Sequence, residues 1–236
     1  MQASADLKAH KKAKFKKRVY LLSVVLVVIS AIVVIVFALL LHRPAYYKPL
    51  DFADSNEVSL YLTNELSPEL YNGAQLQEPF NLVVTQSGIN DIVAHYPFKW
   101  PQEFGSIRFS APMVFFVPDS IVLMGTVFLE GAEFVGTVVA EPSLDTEGLL
   151  NLQVVSVKIG AVDITPLARV LARRICQQQF AAANIGAEDL WAQAAASLLD
   201  GEPFKPVFKI EDKKVRVEKI TIEQKKLTIR LVPVFD

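Results

Sequence analysis

The chain has 236 residues, 52% of them hydrophobic, with 24 basic and 25 acidic side chains and a net charge of −1. One cysteine excludes an internal disulfide, and three histidines leave almost no room for a histidine-based triad or a multi-histidine zinc site. The charge balance hides an asymmetry that divides the chain.

Residues 1–18 hold Lys8, Lys11, Lys12, Lys14, Lys16, Lys17 and Arg18 against Asp6 alone, so the remainder is net acidic. Residues 19–41 follow as VYLLSVVLVVISAIVVIVFALLL, uncharged, with Ser23 and Ser30 its two serines. A bilayer core takes about 20 apolar residues as helix, so this stretch is long enough to span with some tilt. Cations just before an apolar span keep the N-terminus cytoplasmic and put everything after Leu41 on the far side. A cleaved signal peptide would have an apolar region of about 7 to 15 residues, then small side chains. Here the span is longer and its exit reads ALLLHRPAYYKP. The expectation is therefore an uncleaved signal anchor: a single-pass protein of the cytoplasmic (inner) membrane with an extracytoplasmic C-terminal domain. Topology and anionic lipid account for the basic flank, so no nucleic-acid partner is expected. Tyr46 and Tyr47 fall where an interfacial aromatic belt lies.

Residues 42–79 read as a juxtamembrane connector. Pro44 and Pro49 discourage regular structure. Ser55 is placed to cap a short helix over residues 56–65, with Pro68 ending it and Asn72-Gly73 marking a turn.

From Pro79 the pattern turns to strands. Residues 80–84 form an apolar run, Thr85 is a candidate N-cap, and residues 86–95 place Ile89, Ile92 and Val93 at helical spacing. Strands are then predicted at 107–109, 113–117, 121–129, 134–140 and 149–159, with turn residues in each gap, as in an antiparallel meander. Val114 to Val117 and Ile121 to Met124 run apolar without alternation. Such runs imply burial on both faces, or a face covered by something other than water.

Thr165-Pro166 opens a helix whose stripe is Leu167, Val170, Leu171 and Ile175, with Arg169, Arg173 and Arg174 facing elsewhere. A second segment begins near Ala187, carries Leu190, Trp191, Ala194, Ala195 and Leu198 on one side, and stops at Gly201. The two make one long kinked helix or two helices in sequence. Strands at 207–210, 215–223 and 227–234 close the chain; Leu227, Ile229 and Leu231 alternate with Thr228 and Arg230 as in a sheet wet on one face. The expected fold class is α+β: after one transmembrane helix, a curved antiparallel sheet with the long helix packed on it. The corresponding divisions are 1–18 basic tail, 19–41 transmembrane helix, 42–79 connector and 80–236 extracytoplasmic domain.

The strand–helix unit FNLVVTQSGINDIVAHY, the meander MVFFVPDSIVLMGTVFLE, the IGAVDITP turn and the closing hairpin KVRVEKITIEQKKLTIRLVP follow an N-terminal anchor in that order. This order resembles the small bacterial membrane-anchored envelope proteins of the YpmS type and, more loosely, the tubular lipid-binding (TULIP-like) folds. The resemblance implies a long helix packed in a curled sheet, with an apolar groove able to hold an acyl chain. It brings no catalytic motif and no site residues.

The residues themselves offer little chemistry. His95 beside Tyr96-Pro97 reads as a helix-end residue. Asp119-Ser120 is a turn with no base at hand. Asp145 and Glu147 sit in a Gly-containing turn, where Asp serves local hydrogen bonds. Arg173-Arg174 fit a solvated helix face or phosphate head groups. No metal, cofactor or catalytic residue is indicated, and the chain is read as non-enzymatic. The apolar excess of the meander has two readings: a core, or a groove for an acyl chain. The groove candidates are Phe115, Val117, Val122, Met124, Phe128, Phe134, Val138, Leu167, Val170 and Leu171. Two functions follow: an envelope protein that binds or handles lipid, or an envelope scaffold that docks a protein partner through a sheet edge or helix.

Overall fold

The computed structural model describes residues 2–49, 57–76, 78–95, 102–104, 107–129, 131–183, 186 and 189–235. Helix α1, Gln2–Leu40, is continuous through the basic stretch and the apolar one. Its segment Tyr20–Leu40 has a mean hydropathy of 3.3 and no buried residue, and is long and apolar enough to cross a bilayer.

After the junction the chain enters a helix at Leu60. A π-turn at Leu62–Leu66 leads into α2, Ser67–Gln75. Here the expected helix is corrected. Pro68 does not end it but sits in the first turn of α2, where proline's missing N–H is tolerated and the π-turn resets the register. The cap is Ser59, whose Oγ accepts from Leu62 N at 3.0 Å. Ser55 and Asn56 lie outside the described residues.

The strands are β1 Phe80–Thr85, β2 Gln102–Phe104, β3 Ile107–Val117, β4 Ser120–Leu129, β5 Ala132–Leu144, β6 Leu150–Ile159, β7 Val162–Asp163, β8 Val207–Ile210, β9 Lys213–Glu223 and β10 Lys226–Val234. Helices α3 Gln86–Ala94, α4 Thr165–Ala183 and α5 Leu190–Asp200 complete the body. The α+β class and the antiparallel pairing agree with the expectation, and Thr85 caps α3 by accepting from Gly88 N at 3.1 Å. Two predicted strands, 107–109 and 113–117, are one strand, β3, with a register shift between Ser110 and Met113.

The single curved sheet is corrected to two: β1-β10-β9-β8 and β2-β3-β4-β5-β6-β7. The closing hairpin joins β1 rather than the meander. The main core lies between the sheets, built from Leu82, Val84, Val217, Ile222 and Leu231 of the smaller sheet with Val114 and Phe116 of the larger. The next residues along, Met113, Phe115, Val122 and Met124, point to the opposite face and gather around Tyr47. The meander is therefore apolar on both sides because it is covered on both sides, once by a sheet and once by the chain leaving α1.

Candidate functional site

The end of α1 is held by the body. Ala161 N donates to Leu39 O at 2.8 Å, and Gly160 N donates to Val135 O at 2.8 Å. Gly160 has φ +58, and a Cβ there would lie 2.3 Å from both Leu39 O and Leu40 O. Only glycine lets the β6–β7 turn approach the helix terminus this closely. Three residues past Pro44 the chain is pinned again. Tyr47 is 3% exposed, and its hydroxyl donates to Ala111 O at 2.7 Å and shares a 3.0 Å bond with Thr126 Oγ1. Burial raises the phenol's pKa above its usual value. Arg43 lies over the Tyr47 ring at 5.4 Å and 3.9 Å from Glu133, while the Tyr46 ring meets Phe115 edge-on at 5.5 Å. Tyr47 is thus a core residue of the body, not a member of an aromatic belt.

Helices α4 and α5 cover the open edge of β6. Thr165 Oγ1 accepts from Val157 N at 2.8 Å, Ile164 N donates to Val157 O at 2.8 Å, and Arg169 donates to Val154 O at 2.8 Å. Ser197, fully buried, accepts from Leu152 N at 2.8 Å, and Leu150 exchanges two backbone bonds with Phe204. Polar side chains on two helices thus supply what a neighbouring strand would. This use of Arg169 turns α4 over relative to the sequence expectation. Leu167, Val170 and Leu171 face outward, 58%, 62% and 40% exposed. Thr165 does not cap its own helix, either. Its N–H and hydroxyl go to Asp163 Oδ1 at 2.9 and 2.7 Å, and these bonds hold the Asp163 carboxyl below its usual pKa.

Between α4 and α5 lies a cavity of about 700 Å³, within the size range of small-ligand sites. Phe180, Ala192, Ala195, Ala196, Leu199 and Phe204 give it an apolar wall. The wall follows from composition: three alanines on α5 leave room that larger side chains would fill. At its edge Arg173 pairs with Asp200. Cys176 also lines it, and burial pushes the thiol pKa up. Thiolate is the reactive form, so Cys176 is expected to react with a maleimide at pH 8 more slowly than a free thiol, and more slowly still with the cavity filled. Alkylation rates followed by intact mass will check this; a rate equal to that of free cysteine would remove the thiol from the cavity wall.

The ten predicted groove residues do not form one groove. Phe115, Val117 and Val122 line a separate cleft of about 390 Å³ with Tyr46, Gln86, Gln224 and Lys225. Met124 is fully buried, in the cluster with Tyr47. Phe128 lies under the Arg108 guanidinium at 4.5 Å. Register puts Phe134 opposite Val127 and Val138 opposite Leu123, on the other face of the sheet from Val122 and Met124. Leu167, Val170 and Leu171 line none of these spaces. The residues that do line the α4–α5 cavity left one trace in the sequence, the spacing of alanines through AQAAAS.

A serine, an aspartate and a histidine do meet, but as structure. Ser59 Oγ donates to Asp91 Oδ2, and His95 Nδ1 lies 2.7 Å from Asp91 O and 3.4 Å from Asp91 Oδ1. The serine is fully buried and faces the carboxylate rather than the imidazole, so the cluster ties the start of the Leu60 helix to the end of α3. Asp145 Oδ1 accepts from Glu147 N and Leu149 N at 2.9 and 2.8 Å, the local role expected of it. Among the described residues no group of three or more His, Cys, Asp or Glu side chains is placed to hold a metal ion. Comparison of the chain with models of known protein families, and with curated proteins, finds no match.

Proposed function

We propose that this is a single-pass membrane protein of a bacterial-type cell envelope whose extracytoplasmic body takes up an acyl chain, without catalysis, in the cavity between α4 and α5. The reading is carried by that cavity: about 700 Å³, walled by alanines and phenylalanines, in a body tied to the end of the apolar helix. Its chemistry suits a hydrocarbon chain, because the wall is apolar and the charged groups, Arg173 paired with Asp200, stand at the edge. Burying about eight methylenes at roughly 0.8 kcal/mol each contributes about 6 kcal/mol before the cost of ordering the chain.

The test is native mass spectrometry of the full-length protein released from detergent. Bound lipid is expected on the parent chain and not on Ala196→Trp, which fills the cavity, with circular dichroism showing that the variant is folded. Lipid-free parent protein, or equal lipid on both, would overturn the reading. Trp191, 75% exposed beside the cavity residue Ala192, favours a second reading in which α5 docks an envelope protein partner. Crosslinking from position 191 to another protein, with no lipid bound, is its signature.

A further inference from the structure

The space between α4 and α5 does not stop at the Arg173–Asp200 pair. A second pocket of about 280 Å³ adjoins the cavity, and Leu199 and Asp200 line both. Arg169 shares this pocket with Gly201, while Phe180 shares the cavity with Ala192. The two helices therefore run antiparallel, and one trough passes between them with the ion pair across its middle. At about 1.5 Å per residue of α4, the trough runs roughly 16 Å from Phe180 to Arg169.

Its two ends differ in chemistry. The cavity end is walled by alanine, leucine and phenylalanine, the pocket end by Asn151, Gln153, Arg169 and Ser197. Asp200 is the one carboxylate lining the pocket, and Arg173 holds it. Arg169 has no such partner. Its Nη2 donates to Val154 O at 2.8 Å, a neutral acceptor, and among the described residues it pairs with no carboxylate. A guanidinium has five N–H donors, so a parallel pair remains to meet an oxyanion fork to fork. The positive start of α4 and the negative end of α5 both lie at this end of the trough and oppose each other, so Arg169 sets the sign. Amides stand beside it. Gln153 is exposed, and its side chain bonds to nothing among the described residues. Asn151 makes only long bonds, 3.4 Å to Gly201 O and 3.4 Å to Ser197 Oγ.

An apolar trough that opens on one unpaired cation and loosely held amides is laid out for an amphiphile. Distance limits the tails to one. Val154, where Arg169 is tied, lies roughly 20 Å from Gly160 along β6 at about 3.3 Å per residue. The head-group layer of a leaflet is about 5–8 Å deep, so a ligand leaves the bilayer to reach the trough. One acyl chain holds a molecule in a bilayer only marginally and reversibly, and a second adds about 0.8 kcal/mol for each of its methylenes.

We infer, resting on the acyl-chain reading of the cavity, that the α4–α5 trough takes a single-chain anionic amphiphile, its tail along the alanines of α5 and its carboxylate or phosphate monoester head on Arg169. The Arg173–Asp200 pair then straps the middle of the chain and leaves the head to Arg169.

Cys176, the chain's single cysteine, lines the apolar end, so its alkylation by a maleimide at pH 8, followed by intact mass, reports occupancy. The full-length protein is held in phosphatidylcholine nanodiscs. Three amphiphiles of equal chain length are compared at measured free aqueous concentration: decanoate, decyl phosphate and decanol. Each anion is expected to halve the alkylation rate at a concentration at least tenfold below that of decanol. Whichever anion acts at the lower concentration distinguishes a carboxylate source from a phosphate one. Gln153→Glu is expected to weaken both anions about fivefold and Gln153→Lys to strengthen them, with decanol unmoved. Ala196→Trp is expected to abolish protection by all three. Equal protection by the anions and decanol, or anions indifferent to the charge at position 153, would overturn the head site and leave the acyl-chain cavity standing. Protection by none of them, or protection that survives Ala196→Trp, would overturn the cavity reading and take the inference with it.

Discussion

Gly160→Val is expected to separate α1 from the body while leaving both folded. A β-branched residue at φ +58 carries a conformational cost above the roughly 1–2 kcal/mol of an ordinary left-handed residue. Its Cβ would lie 2.3 Å from two backbone carbonyl oxygens, which cannot swing aside as a flexible side chain would. The helix end must shift, and the Ala161 N to Leu39 O bond goes with it. A total on the order of 3 kcal/mol is about a hundredfold change in the open population. Chymotrypsin cleavage after Tyr46 and Tyr47, the second of them buried while the junction is closed, reads that population directly in membrane preparations. Gly148→Val is the control, since Gly148 has φ +75 with nothing within 4 Å of an added Cβ, so strain acts there without collision. Cleavage no faster in Gly160→Val than in Gly148→Val would mean that the junction does not hold the body.

Asn90→Leu is expected to lower the melting temperature of the body by roughly 5–15 °C. Asn90 is buried, and its amide meets the backbone of Val114 with two bonds: Nδ2 donates to Val114 O, and Val114 N donates to Oδ1, both at 2.7 Å. Nδ2 also donates to Gln86 O at 2.7 Å. Leucine has nearly the same size but leaves the Val114 N–H and C=O without partners beside the main core. Each unpaired buried group costs about 1–3 kcal/mol, and a body of this length loses about 2–4 °C per kcal/mol. Scanning calorimetry of the full chain in detergent measures the shift. A change within about 2 °C would show that water replaces the amide at no cost.

Much of the fold was legible because it is local. The Thr85 cap, the turns of the meander and the closing hairpin are set by residues a few positions apart, and each appears where the pattern put it. What was not legible depends on partners distant in sequence. Nothing in 227–234 says that it pairs with Phe80–Thr85 instead of the meander, so one sheet was expected where there are two. The stripe of Leu167, Val170 and Leu171 reads as the buried side of a helix lying on a sheet face. Helix α4 instead closes a sheet edge, where the demand is for hydrogen bonds, so Thr165 and Arg169 turn inward and the leucines turn out. Tyr47 was misplaced for the same reason: its partners, Ala111 and Thr126, are more than 60 residues away. The cavity was the least legible of all, because a void is specified by what is small.

The sheets of this body end in side chains as much as in strands. Asn90 and Gln86 close β3, Thr165, Arg169 and Ser197 close β6, and a single Tyr61 hydroxyl, donating to Val83 O at 3.2 Å and accepting from Thr85 N at 3.1 Å, closes β1. These groups act as a brake on polymerisation along β3, β6 and β1, because a second copy meets donors and acceptors there that are already paired. The corollary is that solubility hangs on a few polar atoms. Truncating one of them exposes no new grease, yet it offers the next molecule a template.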